Sequence, residues 1–351
     1  MNGNGALGVA IESMERGWLP DEVIRVGIRR LCNQRRTAIM AGNCESRLSR
    51  LRTFIETMDA GPIAPVPDKA NEQHYELPAD FFTRVLGQRL KYSGCRFAHA
   101  DSDLDDAEET ALAETCAHAR LADGQDILEL GCGWGSLSIW MAERYPGSRI
   151  TAVSNSTPQR EFIEARAADR GLGNLRVVTC DMNDFRPDNA PFDRVVSVEM
   201  FEHMRNWRKL LGQISDWLRP GGLALVHVFC HREQPYEFTT EDEDDWMGRH
   251  FFTGGIMPSD SLMLHFQDRL RACAQWRWSG HHYARTAESW LDNLDRNRDV
   301  LMPVLEATYG SDAERWHQRW RVFFMAVSEL FGTRGGEEWW VVHHLLEKPD
   351  A

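Results

Sequence analysis

Glu199, Glu202 and His203 stand at i, i+3 and i+4, a spacing that puts three side chains on one face if Glu199 begins a helix. Carboxylates beside an imidazole are equipment for moving a proton. A histidine titrates near neutral pH, and a neighbouring carboxylate orients it and holds its charged form. A second group is the loop Gly131-Cys132-Gly133-Trp134-Gly135, which follows the apolar run Asp126–Leu130. Glycines permit positive φ and let a backbone approach a ligand closely. A dinucleotide site needs GxGxxG to accommodate a pyrophosphate. Here the loop is GxGxG preceded by Glu129, and the tighter form suits a cofactor without phosphates. The plainer alternatives are a structural turn for the glycines, complements to a helix N-terminus for the two acids, and a satisfied core histidine for His203.

The elements that must position these groups are legible as periodic patterns. Short β-rich runs at Asp126–Leu130, Arg149–Val153, Leu175–Thr179, Phe192–Val198 and Leu223–Val228 alternate with helical patterns at Ser136–Arg144, Pro158–Arg170 and Asn206–Leu218. This alternation predicts right-handed crossovers and a parallel sheet. Pro220-Gly221-Gly222 reads as the turn that ends a helix and admits the fifth strand. Leu270–Ser279 and Trp339–Leu346 read as two late strands separated by helix. Together these predict an α/β fold with a doubly wound, seven-strand sheet. We divide the chain into an N-terminal helical arm (1–100), a core (101–231) and a helical cap carrying the last two strands (232–351). The catalytic candidates fall past the carboxyl end of the fourth strand, beside the glycine loop, where doubly wound sheets bind ligands.

Composition narrows the function. The 351 residues carry a net charge of −13, which repels phosphate backbones and argues against nucleic acid as a partner. No apolar run is long enough to cross a membrane, and the first residues lack the pattern of a secretory signal. Eight scattered cysteines with no CxxC pair suggest reduced thiols and a cytoplasmic location. Neither HxxH nor HExxH occurs, and the HxxxH of His227 and His231 lies at a strand end, so no metal is expected. Between Arg25 and Arg52 there are eight arginines and one acid. That basic amphipathic helix reads as one docked on an acidic body rather than on lipid. The acidic run Glu241–Trp246 reads as a solvated patch, with Trp246 and Phe252 nearer the pocket. A small-molecule substrate is expected, and a homodimer is left open.

The stretch ELGCGWGS (Glu129–Ser136) resembles the first motif of class I S-adenosylmethionine-dependent methyltransferases, a family with a Rossmann-like fold. The resemblance implies that Gly131, Gly133 and Gly135 wrap the methionine part of the cofactor and that Asp181, with Met182 and Asn183, meets the adenine. Where the family has an acid for the ribose, this chain has Ser154-Asn155-Ser156, so Asn155 and Gln159 would supply neutral hydrogen bonds. That substitution is similar to the cyclopropane-fatty-acid synthase group. Resemblance to its coclaurine N-methyltransferase-like branch extends over ANEQHYELP (Ala70–Pro78), LKYSG (Leu90–Gly94), SVEMFEHMRNW (Ser197–Trp207), DEDDWM (Asp242–Met247), FFTGGIMPS (Phe251–Ser259), HYART (His282–Thr286) and FFMAVSELFG (Phe323–Gly332). It implies Tyr92 and Ser93 at the cofactor and Tyr75, Glu76, Phe252, Tyr283 and Phe324 at the substrate, with the segment of Tyr75 closing as a lid.

The implied reaction is methyl transfer to the nitrogen of a small amine, probed best with cyclic or aryl-ethyl amines. The attacking nitrogen must be deprotonated, which would fall to His203 with Glu202 as its partner, while Glu199 attracts the cationic amine. The alternative is transfer to lipid acyl chains. Resemblance implies that cyclopropane synthases hold a bicarbonate base with a cysteine after the Tyr-Ser pair, the Glu of FEH, a His and an aliphatic residue on the fifth strand, and a Tyr. This chain keeps Glu202, His227 and Tyr283 but has Gly94 at the cysteine position and Phe229 at the aliphatic one. Glu199 adds a carboxylate that suits a cation and is costly beside an acyl chain. A non-enzymatic cofactor-binding module would be expected to lack the acid/base cluster that this chain retains.

Overall fold

The computed structural model describes residues 3–66, 77–241 and 245–350. Seven strands form one sheet in the order β3-β2-β1-β4-β5-β9-β8: β1 Asp126–Leu130, β2 Arg149–Ser154, β3 Leu175–Thr179, β4 Phe192–Val198, β5 Leu218–His231, β8 Arg271–Trp278 and β9 Trp339–Glu347. The first five are parallel, and β9 runs antiparallel between β5 and β8. This is the class I methyltransferase fold. A two-residue ladder of β6 (Tyr236–Glu237) and β7 (Ile256–Met257) lies apart. Strand β1 is buried along its whole length, as a central parallel strand covered on both faces must be.

The crossover helices have local reasons for their limits. Helix α6 (Ser136–Arg144) starts directly from the left-handed Gly135, and α7 (Thr157–Asp169) starts at Ser156, whose side chain caps the Gln159 N–H, with Pro158 in the first turn. Asn206 caps α8 (Trp207–Trp217) through the Lys209 N–H. The Pro220-Gly221-Gly222 turn lies inside β5 as an irregularity: Phe192 pairs with Leu218 but Arg194 pairs with Leu223, and Gly221 has φ +68°.

The N-terminal helices α1 (Gly3–Glu15), α2 (Asp21–Ile39) and α3 (Cys44–Ala60) precede α4 (Ala79–Val85) and α5 (Leu104–His118). The last third supplies α9 (Trp246–His250) and the long α10 (Gly280–Arg296), α11 (Arg298–Tyr309) and α12 (Ala313–Gly332). Helix α2 docks on that cap. Arg25 grips Glu288 at 2.7 and 2.8 Å and Arg29 reaches Glu329 at 2.9 Å. Arg321 returns the contact to Asp21. Most of the large aromatics are core: Phe81, Phe82, Trp290, Trp320, Phe323 and Phe324 pack together under the cap. Trp246 belongs here as well; its indole N–H donates to Glu15 at 2.8 Å, which removes it from the pocket where the sequence suggested it.

Candidate active site

A cavity opens at the carboxyl ends of β1 to β4, at the point where strand order reverses. One wall is the glycine loop, and its three glycines serve three purposes. A Cβ on Gly131 would strike the Met200 side chain at 2.7 Å, and one on Gly135 would strike Ile163 at 2.6 Å. Gly133, with φ +50°, has nothing within 4 Å and faces open space. Gly131 and Gly133 line the cavity, whereas Gly135 does not; its freedom is needed for packing against α7.

Beneath the loop, Glu129 is buried and accepts a hydrogen bond from the Ser138 hydroxyl. Burial pushes its carboxyl up to about 8, against the pull of that hydroxyl. Across the cavity, the Ser154 hydroxyl donates to Gln159 Oε1 at 2.7 Å, which leaves Gln159 Nε2 buried and without a protein partner. An orphaned amide donor, a desolvated carboxyl and an open glycine fit a cofactor with hydroxyls and a cationic head and without phosphates, as S-adenosylmethionine is. Asn155, Asp181, Met182, Tyr92 and Ser93 also line the cavity. Asp181 also folds its own turn, accepting the Asn183 N–H at 2.7 Å. Asn183 is a correction. Its side chain donates to the Ala64 carbonyl at 2.9 Å and accepts the Ala64 N–H at 3.1 Å, so it ties the arm to the core and does not face the cavity.

The acid/base candidates do not share a helix face. Phe201–His203 is a single 3₁₀ turn, and Glu199 precedes it at φ +49°. The Glu199 N–H donates to the His227 carbonyl at 2.9 Å, which prolongs the β4–β5 ladder past the last strand residue. Its carboxylate lies in the cavity wall, held by three groups. Oε1 accepts the Gly94 N–H at 2.9 Å and meets His227 Nε2 at 3.2 Å, while Oε2 accepts the Tyr283 hydroxyl at 2.7 Å. Burial raises the Glu199 carboxyl above its ordinary value; Lys91, the Gly94 N–H, Tyr283 and His203 oppose that rise.

Glu202 is separate. It is fully buried, its Oε1 accepts the Phe229 N–H at 2.8 Å, and it does not line the cavity. Burial, and then the charge of Glu199, drive its carboxyl well above the ordinary range. Two neighbouring carboxyls cannot both ionise cheaply, and Glu202 is the one placed to keep its proton. His203 lines the cavity and stacks on Phe252 with ring centroids 5.3 Å apart and planes within 10°. Burial lowers its pKa to about 4, with Glu199 pulling the other way. The charge of Glu199 reaches His203, while the Glu202 carboxyl is turned to the Phe229 N–H.

Of the residues expected at the substrate, Phe252 lies against His203, and Tyr283 reaches the site through Glu199 while stacking on Phe331. Phe324 is a correction: it is core, packed on Trp290 and Trp320. Tyr75 and Glu76 lie outside the described residues. Sequence reasoning passed over Lys91, a buried lysine in the cavity wall, and Glu108 behind it; the signal was a lysine between the apolar Leu90 and Tyr92. Among the described residues no cluster suited to a metal ion occurs.

Comparison with known proteins gives the family. The sequence profile of the mycolic acid cyclopropane synthetase family matches residues 66–336. The (S)-coclaurine N-methyltransferase of Thalictrum flavum subsp. glaucum is 36% identical over 344 residues, covering 96% of this chain and 95% of the relative. A crystal structure of coclaurine N-methyltransferase bound to N-methylheliamine and SAH superposes with a TM-score of 0.91 at 33% identity, covering 98% of this chain and all of that one. The cyclopropane-fatty-acyl-phospholipid synthase of Escherichia coli (strain K12) is 28% identical over 77% of this chain and 66% of its own length. The chain belongs to the mycolic acid cyclopropane synthetase family of S-adenosylmethionine-dependent enzymes, with coclaurine N-methyltransferases among its relatives along nearly its whole length.

Proposed function

We propose that this protein transfers a methyl group from S-adenosylmethionine to the nitrogen of a small cyclic or aryl-ethyl amine in the cytoplasm. The observation that carries the choice of nitrogen over an acyl chain is the placement of the Glu199 carboxylate. Tyr283 and His227, two of the groups that would hold a free bicarbonate base in a cyclopropane synthase, are both engaged with this side chain. A cysteine at position 94 has no room either, because a Cβ there would meet the Tyr283 ring at 2.9 Å. The site thus carries a carboxylate of its own, and an anion fixed in the wall favours a cationic amine over a lipid tail.

When bound, S-adenosylmethionine supplies an electrophilic methyl group on sulfur. The residues of the chain do the rest. Glu199 draws the protonated amine to the wall, and the neutral imidazole of His203 takes its proton and exposes the nitrogen lone pair. The imidazolium then rests against Glu199, which offsets its charge in a site of low polarity. Phe252, stacked on the ring, keeps its plane fixed.

The test is to incubate the purified protein with S-adenosylmethionine, first with a panel of cyclic secondary and aryl-ethyl amines and then with phospholipid vesicles. Mass spectrometry is expected to find a methylated amine without any lipid present. Modified acyl chains and no methylated amine would overturn the reading.

A further inference from the structure

Lys91 is only 3% exposed. Its Nζ donates to Ser93 Oγ and to the Gly94 carbonyl, both at 2.6 Å. The same Gly94 gives its N–H to Glu199 at 2.9 Å, so a single residue separates the buried ammonium from the carboxylate of the site. The segment carrying Lys91 is clamped from behind. Glu108 on α5 accepts the N–H groups of Gly87, Arg89 and Lys91 at 3.1, 2.6 and 3.0 Å. Leu90 is held at φ +56°, a conformation that a branched side chain adopts only under such constraint.

Removing an ammonium from water is costly unless an opposite charge stands close by. The acceptors that Lys91 touches are a hydroxyl and a carbonyl, both neutral. The two carboxyls within its electrostatic reach are Glu108 and Glu199. Glu108 already spends its oxygens on backbone N–H groups. The groups facing Glu199 are the Gly94 N–H, Lys91 and the Cys95 thiol, which burial keeps protonated, from this segment, Tyr283 from α10, His227 from β5, and His203 and Glu202 from its own turn. Tyr283 is neutral, burial keeps both histidines neutral, and Glu202 is of like charge when ionised. Lys91 is the one amine among them.

We propose that Lys91 is the buried counter-charge that keeps Glu199 a carboxylate and, through Gly94, fixes where that carboxylate points. The inference rests on Glu199 as the partner of the base, and it makes Lys91 a positioning residue. Without that counter-charge the Glu199 carboxyl, already raised by burial, rises further, and it attracts the amine and stabilises the imidazolium less.

The test uses K91Q, which keeps a donor and loses the charge, beside K91M and K91R. In the resting protein the carboxyl band of Glu199, identified by its loss in E199Q, is followed by infrared spectroscopy across pH. Its midpoint is expected to rise by about one to two pH units in K91Q and K91M and to stay near the parent in K91R. The acid limb of kcat/KM for a methylated amine is expected to move by the same amount, with activity recovering at alkaline pH. Calorimetry with S-adenosylhomocysteine reports whether each variant is folded, and K91Q alone decides if K91M does not bind it. A Glu199 midpoint unchanged in K91Q, or a loss of activity by one constant factor at every pH, overturns the proposal. If the parent methylates no amine, the proposed function falls while the infrared titration still judges Lys91.

Discussion

Glu199 and Glu202 carry the same functional group three residues apart, in unlike surroundings. Three donors converge on the first at the cavity wall, while the second faces one backbone N–H in a dry interior. E199Q is accordingly expected to lower kcat/KM more than E202Q, with E202Q showing its effect mainly in thermal stability. H203A is expected to lower kcat by about 10²–10⁴-fold, with unchanged affinity for S-adenosylhomocysteine and partial recovery at alkaline pH, where the free amine is already deprotonated. A pH-independent loss would reduce His203 to shaping the pocket. That these residues cluster past the end of β4 was legible from type and spacing, but the groups each one meets were not. Spacing alone assumes a helix, and nothing in it reveals that Glu199 would sit at positive φ as an extension of a strand.

Glu129 yields a prediction of the same kind. Burial places its carboxyl at about 8, so it is protonated at pH 7 in the resting protein. A cationic ligand head favours the ionised form, so binding should release a proton from Glu129 below pH 8. The affinity for S-adenosylhomocysteine should then rise with pH and level off above about 8. Calorimetry in two buffers of different ionisation enthalpy measures the proton directly. Equal heats in both buffers at pH 7, once corrected for any other group, would show that Glu129 does not change its charge.

At the scale of elements, the strand–loop–helix unit around GxGxG was readable because its glycines interrupt a buried strand and begin a helix. What the pattern could not distribute was the reason for each glycine. G135A forces a Cβ to 2.6 Å from Ile163 at φ +79°, and is expected to cost about 1–3 kcal/mol, seen as a lowered Tm. G133A meets no neighbour and pays only for its backbone, yet its Cβ intrudes on the cavity. Its expected signature is a nearly normal Tm with weakened S-adenosylhomocysteine binding. The reverse pattern would mean that Gly133 is the packing glycine. The Pro220-Gly221-Gly222 turn was misplaced for a related reason. Proline and glycine announce a break, but only the register between β4 and β5 shows that the break is a bulge within one strand.

Over the whole molecule, the arginine-rich start of the chain was legible from charge and helical spacing as docked, but it is two helices, α2 and α3, and Arg25 and Arg29 of α2 make the ion pairs to the cap. Its partners were not, since Glu288 and Glu329 lie some three hundred residues away. Phe324 was misread because an aromatic-rich segment looks alike whether it lines a pocket or fills a core. The arm that leads from α3 back to the cavity is a further long-range feature. Asn206 holds the carbonyls of Asp59 and Gly61, the Arg205 N–H meets the Ile63 carbonyl, and Asn183 pairs with both polar groups of Ala64. These bonds fasten the arm to the turn that follows His203 and to the turn after β3, and they present Ala64 and Val66 to the cavity. Asn183 itself does not line that cavity, which makes N183A a clean probe of the arm. Losing two partly buried hydrogen bonds should cost about 1–3 kcal/mol, spent locally. Hydrogen exchange at residues 60–66 is expected to accelerate while β1, β4 and β5 keep their protection, and S-adenosylhomocysteine should bind more weakly because one wall has loosened. Faster exchange with unchanged affinity would separate the arm from ligand binding. Unchanged exchange would mean that Asn206 and the Ile63 carbonyl suffice to hold it.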